Sequence, residues 1–303
     1  MLSTWEAIAE NKRRSGWLIA ILLSVMTGLA AATGYAWSGT QEGALLGAAV
    51  GLGIWLVLLL VNMAGGESVL LSSANAREVS HDDAPQLCNI VEELRIAAAL
   101  PAMPKVYIID TEVPNAFAVG LKPERACVAV TTGLLGRLNR AELQGVLAHE
   151  LGHIRNRDTM FMTMAGVMIG AVALIANILL RSGGMFRGNR RDRGGNAIVA
   201  IVVLVCAILA PLAARLLYFA CSRQREYLAD ASAAQFTRDP GALASALEKI
   251  SAQQSPKAPG TNRVVAPMCV INPLAAAGSA NIFGTHPPTE ERIRRLLAME
   301  GRV

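Results

Sequence analysis

The stretch Asn139-Arg140-Ala141-Glu142-Leu143-Gln144-Gly145-Val146-Leu147-Ala148-His149-Glu150-Leu151-Gly152-His153 decides how the chain is read. Asn139 followed three residues later by Glu142 is a capping-box pattern, so a helix is expected to start there and run through His153. On a helix, positions i and i+4 share a face, with Cβ atoms about 5–6 Å apart. From that face both imidazoles reach one zinc ion at Zn–N distances of about 2.0–2.1 Å. Glu150, between them, then lies close enough to the metal to act as a base toward water. The plainer reading is a surface helix that carries two histidines by accident. Histidine is scarce here, with 4 in 303 residues, and a shuffled chain of this composition gives roughly 0.003 such matches. The zinc reading is therefore preferred.

A hydrolytic zinc keeps three protein ligands and one open position. With so few histidines, the third donor is sought among carboxylates on a second helix. Arg225-Glu226-Tyr227-Leu228-Ala229-Asp230 offers Glu226 as that ligand. Asp230, one turn further along the same face, is placed to accept a hydrogen bond from a ligating imidazole and fix its orientation. Alone, a Glu and an Asp at this spacing describe an ordinary solvated helix face. Downstream of the paired histidines, and directly after a hydrophobic run, they read as part of the metal site.

Composition points to a membrane. The chain is 53% hydrophobic and 17% charged, against about 45–50% and about 25% for soluble proteins. Its net charge of +5 does not favour nucleic acid, because 23 of the 28 basic residues are Arg and no Lys-rich tract occurs. Several of those Arg flank the hydrophobic runs, which suits a bilayer surface. Cys88, Cys127, Cys206, Cys221 and Cys269 show no metal or disulfide spacing and read as small buried hydrophobes in a reducing compartment.

Trp17 to Trp37 and Ala44 to Met63 are uncharged runs, each long enough to cross the roughly 30 Å core of a bilayer as a helix. A signal peptide would also show a basic start before an apolar run. The length of the first run and the immediate second run favour an uncleaved hairpin. Lys12-Arg13-Arg14 would hold both of its ends in the cytoplasm. Residues 160–180 and 197–214 form a second hydrophobic pair. The loop between them holds Arg181, Arg187, Arg190, Arg191 and Arg193, which conflicts with a simple double crossing, so full spanning and a re-entrant hairpin both stay open.

Between and after these runs the pattern is soluble. A helix is expected from Asp82-Asp83 and Pro85, with Leu87, Ile90, Val91, Leu94 and Ala98 on one face. Lys105 to Ile109, Ala116 to Val119 and Ala126 to Val130 read as strands, and Gly133 to Leu138 as a short helix. Helices are expected at 223–236, at 241–251 opened by Asp239-Pro240, and at 287–299 with Ile293, Leu296 and Leu297 inward. Residues 252–280 read as a long loop. The division is a transmembrane hairpin (1–66), a first half-domain (67–159), a second hydrophobic hairpin (160–219) and a second half-domain (220–303). The expected fold class is α+β, mainly helical, with a small β-sheet and transmembrane helices.

The chain resembles the HtpX-type membrane zinc metalloproteases, relatives of the CAAX prenyl proteases. Along nearly its whole length it carries Pro104-Lys105-Val106-Tyr107, Pro114-Asn115-Ala116-Phe117-Ala118, Leu147 to His153, Glu226-Tyr227 with Ala229-Asp230, and Thr285-His286-Pro287-Pro288. The resemblance implies a zincin-like, gluzincin-type domain with one zinc per chain held by His149, His153 and Glu226. It makes Glu150 the catalytic base and Asp230 its ligand-orienting neighbour. It also implies an endopeptidase in the stress response, acting on misfolded membrane proteins from a multi-pass position in the inner cell membrane, with the active site facing the cytoplasm.

Asn115, Ala116, Phe117 and Ala118 fit an edge strand to which substrate adds and an internal strand equally well, and the resemblance favours the edge. His286, on a rigid Pro-flanked turn, is expected to stabilise the oxyanion, with Arg292 as its support; a lone surface His is the plainer alternative. The implied partners are polypeptides and the lipid bilayer, with no nucleic acid and an oligomeric state left open. Two other classes stay in view. A small transporter would need ionisable groups in its spans, and these have almost none. A catalytically dead zinc scaffold would lack Glu150.

Overall fold

A computed structural model describes residues 38–160, 162–163, 223–252 and 287–300, with scattered positions between 13 and 35. The expected runs 160–180 and 197–214, the Arg-rich loop between them and the loop 252–280 lie wholly or almost wholly outside these residues. So do Cys206, Cys221, Cys269 and His286. The chain divides into two compact units. One comprises residues 12–65 and 165–216, and the other comprises residues 1–11, 66–164 and 217–303.

In the first unit, the described positions between 13 and 38 are helical, and Gly39 turns the chain with φ of 68°. Helix α1 (Gln41–Ser73) follows. The turn region is packed through small residues. A Cβ on Gly34 would fall 2.0 Å from the Gly43 carbonyl oxygen, and one on Gly47 would fall 2.1 Å from that of Ala30. Backbones this close require glycine, a device of helix pairs in lipid, where small residues let helices approach. Among the described residues α1 is the one helix long and apolar enough to cross a membrane. Leu45, Leu46, Leu60 and Met63 stand exposed along it. The soluble composition expected from Gly65 onward does not end the helix. Backbone angles leave helical values at Gly65, and the helix then resumes to Ser73.

The second unit is built on a four-stranded sheet and a set of helices. The strands are β1 (Arg77–Glu78), β2 (Lys105–Ile109), β3 (Ala116–Val119) and β4 (Cys127–Thr131), in the order β1-β2-β4-β3. Strands β2 and β4 run parallel, and the two outer pairs are antiparallel. Strand β1 has only two residues, too short for an alternating pattern to mark it in sequence. Helix α2 (Pro85–Ala97) buries Leu87, Ile90, Val91 and Leu94, as its spacing predicts. Its N-cap is Ala84, whereas Asp83 turns back to accept from the Ser80 N–H and hydroxyl. The short helix α3 (Thr132–Leu135) starts and stops earlier than expected, capped by the Thr131 hydroxyl.

Helix α4 (Arg140–Arg155) is the centre of this unit. Its capping box forms: the Glu142 N–H donates to Asn139 Oδ1 at 2.9 Å, and the Asn139 N–H donates to Glu142 Oε2 at 3.0 Å. The Glu142 carboxylate also receives Ser245 Oγ at 2.7 Å and Lys249 Nζ at 2.8 Å. Burial pushes its pKa up, but Lys249 and the other donors outweigh that and leave it below the usual value. Leu143, Val146, Leu147, Leu151 and Ile154 lie in one core with Val128, Val130, Leu243, Leu247 and Leu296. Each such side chain, fully buried, contributes about 1.5–3 kcal/mol.

Helices α5 (Arg223–Thr237) and α6 (Pro240–Ser251, capped by Asp239) pack against α4, and α7 (Thr289–Leu297) packs on α6 and α5. Helix α7 is shorter than expected. Leu296 is buried, Leu297 is half exposed, and Arg292 is buried beside Leu296.

Gly145 is where α6 approaches α4, and a Cβ there would sit 2.9 Å from the Leu243 nitrogen. Gly145→Ala therefore forces backbone to move and is expected to cost about 1–3 kcal/mol. Gly136→Ala meets no atom closer than 3.5 Å and is expected to stay within about 0.5 kcal/mol. Denaturant unfolding of the detergent-solubilised chain checks both, and equal stabilities would contradict the packing account.

Candidate metal centre

His149 and His153 project from the last turns of α4, and Glu226 projects from the first turn of α5. The two helices meet closely at Gly152, where a Cβ would lie 3.2 Å from Ser232 Cβ and 3.3 Å from the Ala229 carbonyl oxygen. Interaxial distance depends on the side chains at the contact, and a glycine here lets α5 bring its carboxylate over the imidazoles. Nε2 of His149 and Nε2 of His153 are 3.2 Å apart. Glu226 Oε2 is 3.7 Å from the former, and Oε1 is 3.6 Å from the latter. The rings stand nearly perpendicular, at 87°.

These spacings fit a metal. In a tetrahedral site with ligand bonds of about 2.0–2.1 Å, neighbouring ligand atoms are about 3.3–3.4 Å apart; the two Nε2 atoms stand near that spacing, and Glu226 offers each of them a different oxygen slightly beyond it. Two imidazole nitrogens and a carboxylate are also a donor set suited to zinc. Among the described residues, His149, His153 and Glu226 are the group whose ligand atoms converge in this way.

Each imidazole is held from behind by a carboxylate. His149 Nδ1 is 2.9 Å from Asp230 Oδ1, and His153 Nδ1 is 3.1 Å from Asp158 Oδ2. With Nδ1–H donated to a carboxylate, each ring presents the Nε2 lone pair forward. Arg292 lies against the His149 ring, its Nη2 3.3 Å from Nδ1 and 3.4 Å from Nε2. Its Nε donates to Asp230 Oδ2 at 2.9 Å and its Nη2 to Asp230 Oδ1 at 2.7 Å. Its Nη1 lies 3.7 Å from Glu226 Oε2.

Burial dominates the electrostatics. It pushes the His149 pKa down to about 4, and the neighbouring Arg292 guanidinium adds to that against the pull of Asp230. Burial also works against a charged His153. There the hydrogen bond it donates to Asp158 and the charge of Glu226 outweigh it and raise the pKa to about 9. Glu150 is pushed up to about 8 by burial, with Glu226 adding to the rise, while His153 and the Ala118 N–H oppose it. Burial would raise Asp230 as well, but Arg292 and His149 hold it at about 2. His153 Nε2 thus sits where positive charge is favoured, and a cation there takes the place of a proton.

Strand β3 lies at the edge of the sheet, beside α4. Thr131 N–H donates to the Asn115 carbonyl, and Phe117 and Val119 are in register with Ala129 and Cys127. By the alternation of an antiparallel pair, Asn115 and Phe117 turn their backbone groups toward β4, and Ala116 and Ala118 turn theirs away. The Ala118 N–H reaches the Glu150 carboxylate. Asn115 Oδ1 is buried and has no hydrogen-bond partner among the described residues.

Of the residues the sequence singles out, the structure brings together His149, Glu150, His153, Glu226 and Asp230, with Ala118 against Glu150. His286 falls outside the described residues. Arg292, expected to support His286, is in contact with Asp230 and His149. Asp158 had no assigned role. It follows α4 through a turn at Arg157, whose φ is 60°, and that turn folds it back beneath His153. No periodic signal marks such a reversal.

The profile of Peptidase family M48 matches residues 81–300. A Protease HtpX homolog of Dictyoglomus thermophilum is 44% identical over 301 residues, covering 98% of this chain and 95% of that protein. One from Pyrococcus furiosus is 44% identical over 284 residues, covering 92% and 95%. One from Lactobacillus acidophilus is 40% identical over 301 residues, covering 96% and 98%. Among solved structures, S. mikatae Ste24p is similar with a TM-score of 0.44 and 16% identity, over 79% of this chain and 58% of that one.

Asp158→Asn leaves His153 in place but removes the charge behind it. Metal affinity is expected to fall about 10–100-fold, read by competition with a chromophoric chelator. Unchanged affinity would remove Asp158 from the site.

Proposed function

The chain belongs to peptidase family M48, and we propose that it is a membrane-bound zinc metalloendopeptidase that hydrolyses misfolded or damaged membrane proteins. The observation that carries this reading is the convergence of His149 Nε2, His153 Nε2 and the Glu226 carboxylate beside a buried Glu150. In the gluzincin-type arrangement, His149, His153 and Glu226 hold one zinc per chain. When bound, it supplies the Lewis acid that polarises the scissile carbonyl and makes water a better nucleophile near neutral pH.

Glu150 moves the proton. As the water oxygen attacks the carbonyl carbon, Glu150 accepts a proton from it. As the C–N bond breaks, Glu150 returns that proton to the leaving nitrogen, so the products are a carboxylic acid and an amine. Asp230 and Asp158 hold the two imidazoles in the orientation this requires. His286 is the proposed donor to the oxyanion, a role that rests on its Pro-flanked place in the sequence.

Substrate binding is assigned to strand β3. An extended polypeptide pairing with the outward backbone groups of Ala116 and the outward carbonyl of Ala118 would lie along the edge beside Glu150. Asn115 Oδ1 is an acceptor that a substrate N–H would satisfy. Phe117, with its side chain buried, supports the strand from within the protein. The proposed organisation is one protease domain (67–159 and 220–303) interrupted by the hydrophobic segment 160–219 and preceded by the hairpin 1–66. An inner-membrane, multi-pass position with a cytoplasmic site follows from Lys12-Arg13-Arg14 and the uncharged runs. The length of α1 and its exposed apolar side chains support it.

Glu150→Gln keeps the shape of the side chain and removes the base. The variant is expected to bind one zinc per chain and to lose peptide cleavage by a factor of at least about 100. Cleavage products from zinc-loaded protein, compared between the two forms by mass spectrometry, check this. Undiminished turnover would exclude Glu150 as the base.

A further inference from the structure

The C-terminal helix α7 enters the metal centre through one side chain. Arg292 is 1% exposed, the largest fully buried side chain among the described residues. A buried guanidinium needs carboxylate partners, and Arg292 has two on α5. It grips Asp230 with both prongs of its fork, through Nε at 2.9 Å and Nη2 at 2.7 Å. Its remaining amino group faces Glu226 Oε2 at 3.7 Å. Asp230 in turn holds His149 Nδ1 at 2.9 Å.

A second contact fixes α7 against the same stretch of α5. The Arg295 guanidinium lies 3.8 Å from the centre of the Tyr227 ring, next in sequence to Glu226, and Glu291 holds it there at 2.7 Å. Leu296, one turn after Arg292, is sealed in the core. Arg292 is therefore anchored on its own helix before it meets the site.

We propose that Arg292 is a positioning residue for the metal centre. By its two-pronged hold on Asp230 it sets the tautomer and tilt of His149, so that Nε2 faces His153 Nε2 and Glu226. This rests on the metal-binding reading above. Charge alone predicts the opposite effect on a metal: a cation this close disfavours a second cation, so removing it would tighten binding. Positioning predicts weaker binding, because His149 loses its orientation. The two roles differ in sign.

The test uses the full chain in detergent, with zinc affinity measured by chelator competition. Arg292→Lys keeps the charge and loses the fork. It is expected to weaken zinc about tenfold or more, within the range of imidazole-orienting partners. In an Asp230→Asn background the same change is expected to add less than about a further twofold, because the two residues act as one link. Arg292→Gln is expected to weaken zinc as well. Arg294→Ala, on the exposed side of α7 and paired only within that helix, is expected to leave affinity unchanged. Nitrogen-15 NMR of the histidines is expected to show His149 protonated at Nδ1 in the native chain, and a mixture of tautomers in either Arg292 variant.

Native affinity in Arg292→Lys, tighter zinc in Arg292→Gln, fully additive losses with Asp230→Asn, or an equal loss in Arg294→Ala would each overturn the proposal. A native chain that binds no zinc would instead overturn the metalloprotease reading. The His149 tautomer would still decide the role of Arg292.

Discussion

The structure turns on a cluster of ionisable groups buried between α4 and α5. His149, Glu150, Glu226, Asp230 and Arg292 are each no more than 3% exposed, and Asp158 lies beside His153 at the same depth. An isolated charge in such a place costs several kcal/mol. The cluster persists because each member answers another: Asp230 answers Arg292 and His149, Asp158 answers His153, and Glu226 faces both imidazoles. The apolar core around Leu147, Leu151 and Leu247 supplies the favourable term that holds these groups out of water.

That constraint explains the glycines of α4. Carboxylates on α5 reach imidazoles on α4 only if the two backbones lie close, and Gly152 permits that approach on one side. Gly145, two turns earlier, does the same for α6 on another side. Glycine in a helix costs about 1 kcal/mol relative to alanine. Here the cost is offset by packing that a Cβ would prevent. The intervening turn of α4 carries Val146 and Leu147 into the core, so one helix both builds the hydrophobic centre and carries the histidines.

The motif on α4 and the Glu–Asp pair on α5 were legible in the sequence because both are local. Residues at i and i+4 share a helix face whatever the rest of the chain does. The capping box at Asn139 and Glu142, the three longer strands and helix α2 were legible for the same reason. What escaped depends on tertiary geometry. Asp158 reaches His153 through a left-handed residue at Arg157, a conformation that a glycine would have advertised and an arginine does not. Arg292 was expected only as a support for His286, not as the partner of Asp230. Its burial follows from where α7 docks, which no periodicity contains. Strand β1 and the extension of α1 past Gly65 were missed because two residues carry no alternation, and because paired glycines look like an end.

The link between Glu150 and Ala118 ties the edge strand to the centre. In an antiparallel pair the backbone groups alternate sides, so the register that pairs Phe117 with Ala129 also turns the Ala118 N–H toward α4. A one-residue slip of β3 would reverse that and leave the Glu150 carboxylate without its backbone donor. The register is held at both ends of the strand. Asn115 and Thr131 exchange backbone and hydroxyl hydrogen bonds at one end. At the other end the Gly120 N–H donates to the Thr163 hydroxyl at 2.9 Å. Gly120 has φ of 143°, and a Cβ on it would come within 2.8 Å of the Ala126 Cα. Glycine is thus required where the strand leaves the sheet. The base, the edge strand and the exit turn form one connected arrangement, in which the position of a carboxylate is set by the register of a sheet.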